Sequence, residues 1–318
     1  MLQRRSALAA LAALPFAGTA QDNKPIKLLV GFPAGGGTDA IARLLGEALQ
    51  ASLGTAVIVE NKPGAGGQIA AQALKAAPPD GTTLFVSHDH SISILPLVLK
   101  NPGFDPAKDF VPVAGFATFA NAIALSGGTP AASLPEYIAW VKTQGGQGNV
   151  GVPAPASVPE FLVKLLAEKN GLNLLSVPYR GSAPMVAEML GNQISAGVGS
   201  VPDLITHHQQ KKLRIVAVMG QQRQGVLPEV PTFAELGIAG FEALPYYGLF
   251  APAGTAPSVV QRFSNALAGV IAQPGVKARL TELGLSVGMM TSAQLGARER
   301  AYAATWARII KAGGFQPQ

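Results

Sequence analysis

The chain has 318 residues, a formal net charge of +6 and no cysteine. The lack of cysteine excludes disulfides, thiolate metal sites, a cysteine nucleophile and a cysteine-anchored lipoprotein. The positive excess is scattered, with Lys211-Lys212 the one tight basic pair after residue 20 and no aromatic residues interleaved, so nucleic acid is not an expected partner.

At the N-terminus, Arg4 and Arg5 precede the apolar stretch Ala7 to Phe16, and Gly18-Thr19-Ala20 supplies small residues. Residues 1–20 therefore read as a secretory signal cleaved near Ala20, by the general or the twin-arginine route, which makes the mature protein periplasmic. No later run free of charge and proline reaches the roughly 20 apolar residues of a membrane span. The roughly 300 remaining residues suit two medium domains.

Ile26 to Val30 reads as a strand ending at Gly31, and from Asp39 the residues Ile41, Leu44, Leu45, Ala48 and Leu49 recur at helical spacing. The unit repeats in kind: Val57 to Glu60 is a strand, Pro63 to Gly67 a second glycine turn, Gln68 to Ala77 a helix and Thr82 to Val86 a third strand. Lys108 to Asn121, broken by Pro112, is a crossing strand into a new series. That series alternates helices at Leu134 to Lys142, Pro159 to Asn170 and Ala183 to Leu190 with strands at Asn149 to Val152, Leu174 to Pro178, Ile194 to Gly199 and Leu213 to Val218. Leu249 to Ala251 is a returning strand, and Pro257 to Ala272, Val276 to Leu283 and Ala293 to Ala312 are helices. The pattern is an α/β fold of two lobes, each a mainly parallel sheet flanked by helices, with two crossing strands as a hinge. Residues 21–120 and 220–318 form one discontinuous lobe, and residues 121–219 the other.

Between the first strand and helix lies Phe32-Pro33-Ala34-Gly35-Gly36-Gly37-Thr38-Asp39. Its backbone amides and the helix N-terminus can face an anion without a charged side chain. Thr38 or Asp39 can cap the helix, the Thr38 hydroxyl being the better candidate for ligand contact. No lysine follows the last glycine, so the loop is not a Walker site, and the glycine spacing does not fit a dinucleotide fingerprint. Asn61-Lys62-Pro63-Gly64-Ala65-Gly66-Gly67 places a second such turn after the next strand. Ligands of open α/β sheets bind outside the carboxyl ends of strands, so both turns are expected to line one crevice.

These two turns, together with Pro79-Asp80-Gly81-Thr82-Thr83-Leu84, Asp105-Pro106, Lys108-Asp109-Phe110, Val177 to Pro184, Leu227 to Thr232 and Gly248 to Thr255, run over essentially the whole mature chain. In them the sequence resembles the Bug, or TctC-like, family of substrate-binding proteins of tripartite tricarboxylate transporters. The resemblance implies a periplasmic-binding-protein-like (type II) fold that closes around a small organic acid, with no cofactor, and a membrane permease of the tripartite tricarboxylate type as partner of the monomer. It also implies that Ala34, Gly36, Gly37, Thr38 and Asp39 anchor a carboxylate, and that Gly64, Ala65, Gly66 and Gly67 form the second contact turn.

Elsewhere the chain leaves the family pattern. Gly151 to Glu160 keeps one clear hydroxyl, Ser157, where relatives carry Gly, Asn, Thr and Ser, and Gly199-Ser200 replaces a common Asp-Asn pair. Ser87-His88-Asp89-His90-Ser91 replaces small residues. In an extended segment His88 and His90 share a face while Asp89 points away, so hydrogen bonding to ligand is favoured over metal ligation. Ser87, His88, Asp89, His90, Ser157, Tyr179 and Ser200 complete the candidate ligand contacts. Two rival functions are weighed, a ligand-responsive sensor partner and an exported α/β hydrolase. A sensor partner would use the same cleft with another docking face. An exported hydrolase could in principle assemble His88, Asp89 and Ser157, but the sequence has no Gly-x-Ser-x-Gly elbow.

Overall fold

The computed structural model describes residues 24–312 and 314–317. The predicted secretory signal, residues 1–20, lies outside them. β1 is Ile26–Val30, in which only Lys27 is exposed. After the glycine turn the chain forms α1, Gly37–Leu53, whose Ile41, Leu44, Leu45 and Leu49 make a buried stripe at three- and four-residue spacing. Each such side chain stabilises the fold by roughly 1.5–3 kcal/mol. α1 stops at Gly54, whose φ of 64° suits glycine and whose N–H returns to the Gln50 carbonyl. β2 is Val57–Asn61, followed by a 3-10 turn at Ala65–Gly67, α2 at Gln68–Lys75 and β3 at Thr83–His88. A wide π-type turn, His90–Ile94, leads into α3 (Leu95–Val98), α4 (Pro106–Asp109) and β4 (Phe110–Thr118).

The second series comprises β5 (Asn121–Ser126), α5 (Leu134–Thr143), β6 (Gln147–Val152), α6 (Val158–Asn170), β7 (Asn173–Pro178), α7 (Ser182–Leu190), β8 (Ala196–Ser200), α8 (Val201–Gln209) and β9 (Leu213–Val218). α5 and α6 both begin on a Ser-x-x-Glu box. Ser133 and Ser157 accept from the N–H of Glu136 and Glu160, while those glutamates accept from the N–H of Ala132 and Ala156. The chain then returns through β10 (Tyr246–Pro252), α9 (Pro257–Ala272), α10 (Pro274–Glu282), β11 (Ser286–Met290) and α11 (Ser292–Ala312).

Two sheets result, in the orders β11-β4-β10-β3-β1-β2 and β7-β6-β8-β5-β9. Leu28 of β1 stands beside Val59 and Leu84 in parallel register. Ile26, Leu28 and Val30 face a core shared with α1 and α9, while Leu29 and Phe85 face α2 and the buried Trp306 of α11. The sheets are mixed rather than mainly parallel. β1 is parallel to β2 and β3, and β6 to β7 and β8, whereas β4, β5 and β10 make antiparallel pairs. The reason is topological: strands that carry the chain between sheets enter without the helical crossover that parallel neighbours require. β11, which has no counterpart among the predicted strands, is an irregular edge strand on β4, half-exposed and too weakly patterned to signal itself. β4 passes into β5 through Phe119–Ala120, and the return enters β10 beside it, with the Phe119 N–H donating to the Pro245 carbonyl at 3.2 Å. Among the described residues no helix is long and apolar enough to cross a membrane.

Candidate functional site

The carboxyl ends of β1 and β3 in one sheet face those of β6 and β8 in the other, with the Phe119–Ala120 crossing at the base. A cavity of about 50 Å³ lies between them, lined from one side by Phe32, Gly36, Gly37, Thr38 and Tyr247 and from the other by Ala154, Ser157, Ser182, Ser200 and Asp203. Neither lysine nor arginine is among its lining residues, which include the carboxylates of Asp89 and Asp203.

α1 begins at Gly37, two residues before Asp39, from which its hydrophobic pattern is read. Gly36 is the N-cap, no side chain caps the helix, and Thr38 and Asp39 lie in the first turn, so neither takes the capping role expected of them. The Thr38 hydroxyl instead lies 3.0 Å from the Tyr247 hydroxyl, both groups being buried. Burial, reinforced by the charge of Asp203, pushes the Tyr247 phenol up, so it remains protonated. Asp39 is buried and points away from the cavity. Its carboxylate accepts from the Gly35 N–H at 3.0 Å, Arg43 Nε at 3.0 Å and Asn61 Nδ2 at 2.9 Å. Burial raises its pKa, but the hydrogen bonds from Arg43, Gly35 and Asn61 outweigh that effect and hold it below the usual carboxylate range. Since Asn61 also donates to the Phe32 carbonyl at 3.1 Å, Asp39 ties the first glycine turn to the start of the second.

The segment after β3 is not extended. Asp89 already has helical angles, φ −44° and ψ −42°, and the π-type turn starts at His90. His88, Asp89 and His90 therefore all line the cavity, and Asp89 does not point away from His88. His88 Nδ1 lies 3.2 Å from the Asp89 carboxylate and 3.3 Å from the His90 backbone N–H. The imidazole of His88 stacks on Phe32 at 4.9 Å and meets the edges of Tyr247 and Phe119 at 5.4 and 5.8 Å. The antiparallel register that pairs Tyr247 with His88 brings those rings together. His90 is buried, and neither ring nitrogen has a hydrogen-bond partner in the protein. Burial and the charge of His88 push its imidazole down to about 4, so it is neutral at pH 7. Among the described residues no group of three or more His, Asp or Glu is placed to hold a metal ion.

On the opposite wall the Ser157 hydroxyl donates to the Ala154 carbonyl at 2.7 Å and caps α6. Ser200 precedes α8 without capping it. Its hydroxyl donates to Asp203 Oδ2 at 2.5 Å, and the Ser182 hydroxyl donates to the same oxygen at 2.7 Å. Asp203 Oδ1 crosses the gap and accepts from the Gly37 N–H at 2.7 Å. The first amide of α1 thus already holds a carboxylate.

Residues 41–315 match the model of the tripartite tricarboxylate transporter family receptor, TctC. The chain belongs to this family. A Cupriavidus necator protein described as "UPF0065 protein in gbd 5'region" is 33% identical over 286 residues, covering 89% of this chain and 86% of that protein. The structure of the periplasmic binding protein BugD superposes with a TM-score of 0.87 at 31% identity, over 92% of this chain and 99% of BugD. A Rhodopseudomonas palustris protein solved with adipate gives a TM-score of 0.88 at 27% identity, over 92% and 98%. TctC proteins are solute-binding proteins of the periplasm rather than enzymes, and the two-lobed α/β fold is theirs.

Not every candidate residue of this TctC protein reaches the same cavity. Gly64, Ala65, Gly66 and Tyr179 line a second one, of about 280 Å³, that meets the first at Phe32. Ala34 is exposed at the rim. Gly67 packs its backbone against Ser91 and Gly31, and Ser87 is buried beside β10 outside both cavities. Asp203 and Asn121 are not among the sequence candidates: Asp203 lies in the first turn of α8, a helix absent from the predicted series, and Asn121 stands at the end of the predicted crossing strand but opens β5.

Proposed function

We propose that this protein is a periplasmic receptor, released by cleavage near Ala20, that captures a small organic acid between its two lobes and presents the closed monomer to a tripartite tricarboxylate-type permease. The observation that carries the reading is the Gly37 amide at the head of α1, which bonds a carboxylate oxygen at 2.7 Å across the gap. A helix N-terminus with free amides attracts negative charge, so a solute carboxylate meets chemistry that this site already satisfies. Gly36, Thr38, His88, Ser157 and Ser200 are the proposed contacts around it. The lobes are proposed as residues 21–120 with 220–318, and 121–219, a division supported by the membership of the two sheets. The likeness to the R. palustris protein with adipate supports a carboxylate as the solute class.

The test is a thermal-shift screen of the mature protein against mono-, di- and tricarboxylates. A solute at 100 times its dissociation constant adds about 2.7 kcal/mol to stability and raises the melting temperature visibly. A flat response to every acid would overturn the reading.

A further inference from the structure

Asp203 stands where a solute carboxylate is expected. It is the third residue of α8. One of its oxygens is held by the hydroxyls of Ser182 and Ser200, at the heads of α7 and α8, and the other by the Gly37 amide at the head of α1. Three helix N-termini, each carrying partial positive charge, converge on this one carboxylate. Two of the heads belong to the second sheet and one to the first, so the carboxylate also bridges the gap. The approach there is close. A Cβ built on Gly37 would stand 3.0 Å from both Asp203 Oδ1 and the Pro202 Cβ. A second point of closure lies beside it, where Gly181 packs against the ring of Pro33.

We propose that Asp203 is a tethered stand-in for the solute carboxylate, which holds the cleft shut through Gly37 and must leave that amide before an acid can bind there. The two serine hydroxyls keep it on the second lobe, so its local concentration at the seat is that of an intramolecular partner. A free acid competes against that tether, and two carboxylates cannot share one amide without like-charge repulsion. Asp203 therefore sets the threshold concentration at which the receptor responds. The inference rests on the organic-acid reading for its solute and on the cross-gap hydrogen bonds for its latch.

The test compares the mature wild-type protein with Asp203→Ala and Asp203→Ser. Calorimetric titration with succinate, malate and adipate measures affinity, and small-angle scattering in buffer measures the radius of gyration. Serine is well tolerated in a first helical turn and too short to reach Gly37, so one variant remains interpretable if the other folds poorly. The expected result is affinity at least about tenfold higher in the variants for an acid that the wild type binds, the gain expected from removing one or two charge-assisted competing bonds. The radius of gyration in buffer should also be larger than that of the wild type. Unchanged or weaker affinity with an unchanged radius would overturn the latch, whichever acids bind. A larger radius in the variants with no binding of any acid by any of the proteins would support the latch and overturn the organic-acid reading instead.

Discussion

His90 shows how one side chain couples the site to pH. An unfolded imidazole takes up its proton near 6.5, whereas the folded one does so only near 4, because burial and His88 disfavour the charged form. Between those values the unfolded chain binds more protons, so stability falls as the pH is lowered. The slope is roughly 1.4 kcal/mol per pH unit, and the whole limb amounts to about 3 kcal/mol. His90→Leu should flatten this limb and lose no stability at pH 7, since neither ring nitrogen has a partner to forfeit. Urea titrations at pH 7 and 4.5 check both statements, and an equal acid loss in wild type and variant would refute the assignment. Asp39 acts lower on the scale and with its own sign. Its folded pKa is depressed, so its contribution is complete above about pH 4 and is lost as the pH falls through the folded value.

At the scale of an element, α1 is positioned by two unlike sets of forces. Its apolar stripe fixes the helix on the sheet, and the polar knot of Asp39, Arg43, Asn61 and Gly35 fixes the loop that leads into it. Asp39→Ala leaves the stripe intact and removes the knot. The expected loss is about 2 kcal/mol, the range of hydrogen bonds to a charged group, tempered by the exposure of Arg43. Because the knot also orients the amides of the turn, acid affinity should fall with it. Chemical denaturation and calorimetry on the same variant separate the two effects, and a loss of stability without any change in affinity would show that the knot does not shape the seat.

For the whole molecule, the proposed closure brings α8 onto the head of α1, where Asp203 bonds Gly37. Gly37→Val places branched carbon where Asp203 and Pro202 already stand within about van der Waals contact. The variant should therefore remain expanded in small-angle scattering and bind acids more weakly by an order of magnitude or more, since the proposed contacts Ser157 and Ser200 stand on the far side of the gap. Both Gly37→Val and Asp203→Ala open the molecule in this account, yet they move affinity in opposite directions. A mere loss of rigidity would move it the same way in both. If Gly37→Val binds acids as the parent does, the gap need not close for capture.

Several features are legible in the amino-acid sequence. Apolar runs and helical spacings locate β1, α1, β2, α2, β3 and, in the second series, β6 to β9 with α5, α6 and α7, because each is fixed by its own side chains and by glycine and proline at its ends, whereas β5 and α8 have no predicted counterpart. The ordered motifs carry the family, and the glycine turn announces an anion-facing helix head. What the sequence leaves open depends on residues far apart along the chain. β10 and β4 run antiparallel to neighbours because of the path between sheets, which no local pattern encodes. The turn at Asp89 replaces an extended segment because His88 is held among Phe32, Phe119 and Tyr247, drawn from three other parts of the chain. Asp203 meets Gly37 across 166 residues. Local sequence determines which elements form and what chemistry each end can offer. Only the closed tertiary structure decides which ends meet, because a hydrogen bond across a cleft has no signature at either of its two positions.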